Sequence, residues 1–138
     1  ETGRSRGGLT TKVHAVVDGL GNPLHILLSP GNVNDITMAE QLLEPFSLDG
    51  VSIICDKGYD SDKLAAYITS RNGQVVIPSR CTATSPRDTD WHLYKERHLV
   101  ENLFLKMKNF RRFATRYEKT AEAFMAVALF ACILIWLR

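Results

Sequence analysis

Two short apolar runs, residues 51–55 (VSIIC) and 74–77 (QVVI), constrain this chain more than anything else in it. Each is a continuous run of strand length, and each stops hard, the first at Asp56 and the second at Pro78. Runs of this kind read as short strands buried on both faces. Between them, Asp60-Ser61-Asp62 reads as a cap for a helix over 63–71, which Asn72-Gly73 closes. Upstream, residues 12–18 (KVHAVVD) and 24–28 (LHILL) flank Gly19-Leu20-Gly21-Asn22-Pro23, the signature of a β-hairpin. Asp35 is placed to cap a helix over 36–46, and residues 79–90 read as a polar loop. A helix over 94–108, a basic aromatic segment and an apolar terminal helix complete the order β-β-α-β-α-β-α-α, a mixed α/β domain.

With 138 residues, 45% of them apolar and 23% charged, the chain can bury one ordinary core. Its net charge of +2 is too small to name a partner, so the placement of charge matters more than its sum. Cys55, Cys81 and Cys132 are odd in number and match no zinc spacing, which reads as buried free thiols in a reducing cytoplasm. The apolar run 123–137 is shorter than the roughly 20 residues that a spanning helix needs, so no membrane partner is expected. The chain opens at Glu1, without methionine, in a Gly- and Arg-rich stretch. Residues 1–12 are therefore expected to be a basic linker or arm, within a carboxyl-terminal portion of something longer.

The chemistry concentrates on the helix over 94–108. Tyr94, Arg97, Glu101 and Lys108 follow the spacing Y-x-x-R-x-x-x-E-x(6)-K. At about 100° per residue they fall within about 60° of one another, opposite Leu99, Val100, Leu103, Met107 and Phe110. A carboxylate among cations suits metal and phosphate chemistry, and Asp56, at the end of a buried strand, offers a second acid. Gly58 permits a sharp turn that leaves Asp56 exposed. Two such acids suit a hard divalent cation, which binds oxygen ligands and substrate phosphate. Taken singly, Asp56 also reads as a loop-capping acid, and Arg97 with Glu101 as an ordinary surface ion pair. Farther on, Lys106, Lys108, Arg111, Arg112, Arg116 and Lys119 lie within fourteen residues, interleaved with Phe110, Phe113 and Tyr117. Such a run either binds DNA phosphates or forms a solvated helix face over core aromatics.

Cys55-Asp56-Lys57-Gly58-Tyr59-Asp60-Ser61-Asp62, followed by Tyr94, Arg97, Glu101 and Lys108, closely resembles the DDE transposases of bacterial insertion sequences. The resemblance is to the group with the Y-R-E-K signature and a ribonuclease H-like catalytic core. It extends from Gly3-Arg4-Ser5-Arg6-Gly7-Gly8 to Ile135-Trp136-Leu137-Arg138. It implies that Asp56 and Glu101 are the second and third carboxylates of a catalytic triad and ligands of two Mg²⁺ or Mn²⁺ ions. Tyr94, Arg97 and Lys108 would contact DNA ends or orient the acid. The activity implied is phosphodiester hydrolysis at the element end and attack of the freed 3′-hydroxyl on target DNA, in a bacterial, nucleoid-associated enzyme.

One part of the pattern has no counterpart. The family's first aspartate lies on a strand upstream of the hairpin, the central strand of the sheet. Here Asp18 sits in a hairpin turn and Asp35 at a helix start, so neither is promoted. Residues 13–138 are therefore expected to form an incomplete ribonuclease H-like domain, inactive until an upstream transposase segment supplies the acid. A noncatalytic DNA-binding or inhibitory fragment is the alternative, and a nuclease without strand transfer is a third reading. Sheet edges lacking their central strand invite pairing with other chains. In sedimentation and melting, the isolated chain is thus expected to prove metastable, misassembled or self-associated; a cooperative monomeric melt would contradict this.

Overall fold

The computed structural model describes residues 3–5, 8–111, 113 and 120–137. The mixed α/β class holds, with five strands among the described residues in two small sheets: a three-stranded antiparallel sheet of order β1-β2-β3 and a parallel pair, β4-β5. The chain divides into two compact units, Glu1–Val33 with Leu99–Arg138, and Asn34–His98.

In the first unit β1 (Gly3–Ser5) pairs with β2 (Gly8–Val17), which turns back as β3 (Pro23–Pro30). Asp18 makes the turn, its Oδ1 accepting from the amides of Leu20 and Asn22 at 2.9 Å each, and Gly21 takes the left-handed φ of 84° that the turn requires. Desolvation works to raise the Asp18 pKa, but donation from the amides of Asn22, Leu20 and Gly21 outweighs it and holds the carboxyl below its ordinary value. Alternation along the hairpin sends Val13, Ala15, Val17, Ile26 and Leu28 to the core face. Buried His14 and Ser29 pair at 2.7 Å (Nε2 to Oγ) on the other face.

Two helices complete the first unit's core. Helix α4 (His98–Lys108) contributes Leu103 and Met107, both fully buried. Helix α5 (Ala121–Trp136) starts where Thr120 Oγ1 accepts from the Ala123 amide and contributes Phe124, Ala128, Cys132 and Ile135. Phe113 stacks on Phe124 with ring centroids 5.5 Å apart. The Trp136 indole donates to Pro23 O at 2.6 Å, fastening the end of α5 to the start of β3. Among the described residues no helix is long and apolar enough to cross a membrane.

The second unit packs α1 (Ile36–Leu43) and α2 (Asp62–Ser70) with β4 (Ser52–Ile54) and β5 (Gln74–Val76) around Ala39, Leu43, Leu48, Leu64, Ile68 and Ile77. Ser61 caps α2 by accepting from the Leu64 amide, and Asn72 ends it at φ 61°, letting Gly73 N donate to Ile68 O at 3.0 Å. No side chain fits at Gly73, where a Cβ would lie 2.7 Å from an Ile68 methyl.

Four local expectations need correction. Asp35 occupies the N-cap position of α1 but has helical dihedrals and makes no capping bond. Neither Asp60 nor Asp62 caps α2, because Ser61 does. Strand β4 is three residues long and half-buried, and among the described residues β5 is its one pairing partner. The helix expected over 94–108 is not uniform: α3 (Trp91–Tyr94) passes into a 3₁₀ turn (Lys95–Arg97) before α4. Just past that turn, the His98 ring nitrogen Nδ1 lies 2.7 Å from the Lys95 carbonyl, a side-chain bond that competes with regular helix. A 3₁₀ turn advances about 120° per residue, so the α-helical projection does not carry from Tyr94 through Arg97.

The cysteines also differ from one another. Cys132 is buried, Cys55 is half-buried and Cys81 is exposed, against the expectation of three buried thiols. Burial, with a smaller contribution from the Asp56 charge, pushes the Cys55 thiol up to about 12. A raised pKa keeps the proton on sulfur below that pH, so the folded chain presents no Cys55 thiolate near neutrality. Iodoacetamide at pH 8 is expected to label Cys81 first, leaving Cys55 and Cys132 unmodified until the chain unfolds, as peptide mass spectrometry would show. Leu103→Ala should cost about 2–5 kcal/mol in denaturant melts, through the cavity left in the first unit's core.

Candidate active site

Asp56 stands two residues beyond β4, where parallel pairing is ending. The last pair is Ile54 with Val76, and the Cys55 amide still reaches Val76 O at 3.3 Å. Its backbone is extended (φ −74°, ψ 170°), and it starts a 3₁₀ turn over Lys57–Tyr59. Oδ1 accepts from the Gly58 amide at 2.8 Å. A Cβ on Gly58 would lie 2.8 Å from that same oxygen, so glycine is what lets the carboxylate sit over the turn. Tyr59 follows, its phenol pushed upward by burial and then by the charges of Asp35, Cys55 and Asp56.

An open cleft of about 830 Å³ borders this turn, its wall including Asp56, Lys57, Arg80, Trp91, Tyr94 and Arg97. Every lining residue belongs to the Asn34–His98 unit. One carboxylate thus faces three cations and two aromatic rings. The rings are ordered: Trp91 meets Tyr94 edge to face at 5.5 Å, and the Arg97 guanidinium lies 5.8 Å from the Tyr94 ring centroid. Trp91 remains 60% exposed, so the ladder is presented to solvent. Of the residues singled out from the sequence, Asp56, Tyr94 and Arg97 meet at this cleft.

The others lie elsewhere in the chain. Glu101 and Lys108 project from the exposed side of α4, opposite buried Leu103 and Met107, in the other unit. Arg111 is exposed in that same unit, whereas Arg112 and Arg116 lie outside the described residues. Sequence reasoning missed Arg80. The signal was present, because residues 79–80 follow buried Pro78 at the end of β5 just as Asp56 follows β4. Parallel strands end at a common edge, where open α/β sheets place ligands.

For a divalent ion, Asp56 is a suitable single oxygen donor with cations beside it for a phosphate. Among the described residues no group of three His, Cys, Asp or Glu is arranged to hold a metal. The cleft by itself therefore supplies one carboxylate ligand and a phosphate-attracting rim, and does not fit a complete two-ion centre.

Comparison with known proteins identifies the family by sequence. No solved structure matches the chain. A protein of Brucella ovis named as transposase for insertion sequence element IS6501 is 46% identical over 132 residues, covering 94% of this chain and all of that protein. One of Burkholderia cepacia, named for insertion sequence element IS402, is 31% identical over 145 residues, covering 97% of this chain and 65% of that protein. The transposase DDE domain family matches residues 1–136. Sequence and similarity agree: the chain belongs to the transposase DDE domain family of insertion-sequence transposases.

Proposed function

We propose that this chain forms part of a ribonuclease H-like transposase core that cleaves and joins DNA at the ends of an insertion sequence. The observation that carries this reading is the cleft in which Asp56, at a strand end, faces Lys57, Arg80 and Arg97 beside Tyr94 and Trp91. Cations of this kind hold a phosphodiester without regard to base sequence, and a carboxylate among them supplies an oxygen ligand.

In this reading Asp56 and Glu101 are the metal-binding and catalytic carboxylates. Tyr94, Arg97 and Lys108, with Arg111, Arg112 and Arg116, contact double-stranded DNA of the element ends and target. Bound Mg²⁺ or Mn²⁺ would activate the attacking oxygen and stabilise the leaving one. The chain's own part is to attract the phosphate backbone and present the acids. A third carboxylate is required, and Asp18 is committed to the hairpin turn through bonds from Leu20 and Asn22. The proposal therefore includes a transposase segment upstream of this chain that supplies the first aspartate.

A second reading, a noncatalytic DNA-binding or inhibitory transposase fragment, draws on the same cleft, since its three cations outnumber its one acid. The two separate on metal dependence. With the upstream transposase segment joined to this chain, Mg²⁺-dependent nicking of element-end DNA is expected, and Asp56→Asn or Glu101→Gln should each lower its rate at least about 10³-fold. Duplex binding should survive both changes and weaken with salt. Nicking by the unextended chain would contradict the need for an upstream acid, and nicking that persists in Asp56→Asn would contradict the catalytic assignment. Salt-sensitive binding with no metal-dependent cleavage in the joined protein would establish the second reading.

A further inference from the structure

The 3₁₀ turn that begins at Asp56 ends at Asp60, and the second acid does different work. Its side chain is only 12% exposed. Oδ2 accepts from the backbone amide of Arg80 at 2.8 Å, and Oδ1 is ion-paired with the Arg87 guanidinium, itself 24% exposed. The Arg87 amide donates to Ser79 Oγ at 2.7 Å, closing the loop on itself across eight residues. Asp62 adds little, at 3.9 Å from Arg87 and fully exposed. The polar loop after β5 is thus fastened to the Asp56 turn through one carboxylate.

We propose that Asp60 is a positioning residue that fixes Arg80 in the cleft beside Asp56, as a phosphate contact for bound DNA. Both walls of the cleft depend on one hydrogen-bonded turn: Asp56 caps its start, and at its end the Asp60 amide donates to Lys57 O at 3.2 Å while its carboxylate holds the Arg80 amide. A charged acceptor for the Arg80 amide is a stronger restraint than a neutral one. Without it Arg80 sits on a loop whose neighbours Cys81 and Thr82 are exposed. This rests on the proposed function, since the Arg80 contact presupposes DNA in the cleft.

The test compares duplex binding by the full chain across a salt series for the unmodified protein, Arg80→Ala, Asp60→Ala and the double variant. Each phosphate contact contributes about 0.9 to the slope of log affinity against log salt. Arg80→Ala should lower the slope by about that amount, Asp60→Ala should lower it nearly as much, and the double variant should fall no further. Additive losses, or an unchanged slope in folded Asp60→Ala, would overturn the proposal. If Asp60→Ala does not fold, Asp60→Asn carries the test: one oxygen remains for two donors, so the slope should fall by part of the same amount. Amide hydrogen exchange at Arg80 decides the clamp without DNA, being slow in the unmodified chain and faster in the Asp60 variants. Fast exchange at Arg80 in the unmodified chain overturns the clamp. A slow Arg80 amide in a chain that binds no duplex instead overturns the proposed function, and the role given to Arg80 with it.

Discussion

The short parallel pairing of β4 with β5 is the constraint from which the candidate site follows. Three residue pairs, Ser52 with Gln74, Ile53 with Val75 and Ile54 with Val76, bring two strand ends to one edge. Asp56 leaves one end and Arg80 follows the other. The pairing is anchored by α2, whose Leu64 and Ile68 are buried in the same core as Ile77. Full burial of one Leu or Ile is worth roughly 1.5–3 kcal/mol, against about 0.5–1.5 kcal/mol for one backbone hydrogen bond. The site edge is therefore held mainly by packing beneath it, and the backbone bonds set its register.

Glycine and carboxylate chemistry then shape the edge. Gly58 lets the Asp56 carboxylate accept a backbone amide at 2.8 Å, where any Cβ would collide with it. Asp60 satisfies a backbone donor and an arginine together, which is how a nearly buried carboxylate avoids a desolvation penalty. Arg87 does less well, since its buried Nε has no hydrogen-bond partner among the described residues. Orphaning one donor there costs stability, and the ion pair with Asp60 offsets it.

Several local features were legible because they depend on residues near in sequence. The hairpin around Asp18 to Pro23 and the Asn72-Gly73 stop each need only a turn residue or a left-handed position. Asp35 was misread for the converse reason. Its residue type suits a cap, but its backbone is already helical, so its side chain makes no capping bond to the helix amides. The 3₁₀ break in the helix carrying Tyr94 was missed because the His98 bond to the Lys95 carbonyl is invisible to a periodicity of apolar residues.

The sequence by itself determined the family and the spacing of tyrosine, arginine, glutamate and lysine, because residue types at fixed separations survive without knowledge of packing. Only the tertiary structure decided who meets whom. It brought Asp56 to Tyr94 and Arg97 across 38 and 41 positions of chain, added Arg80 and Trp91 to the same cleft, and gave Asp60 to Arg80 and Arg87 instead of to the helix it precedes. Such meetings depend on strand register and on the buried faces of α1 and α2, which are fixed by long-range packing and leave no local signature in the residues they bring together.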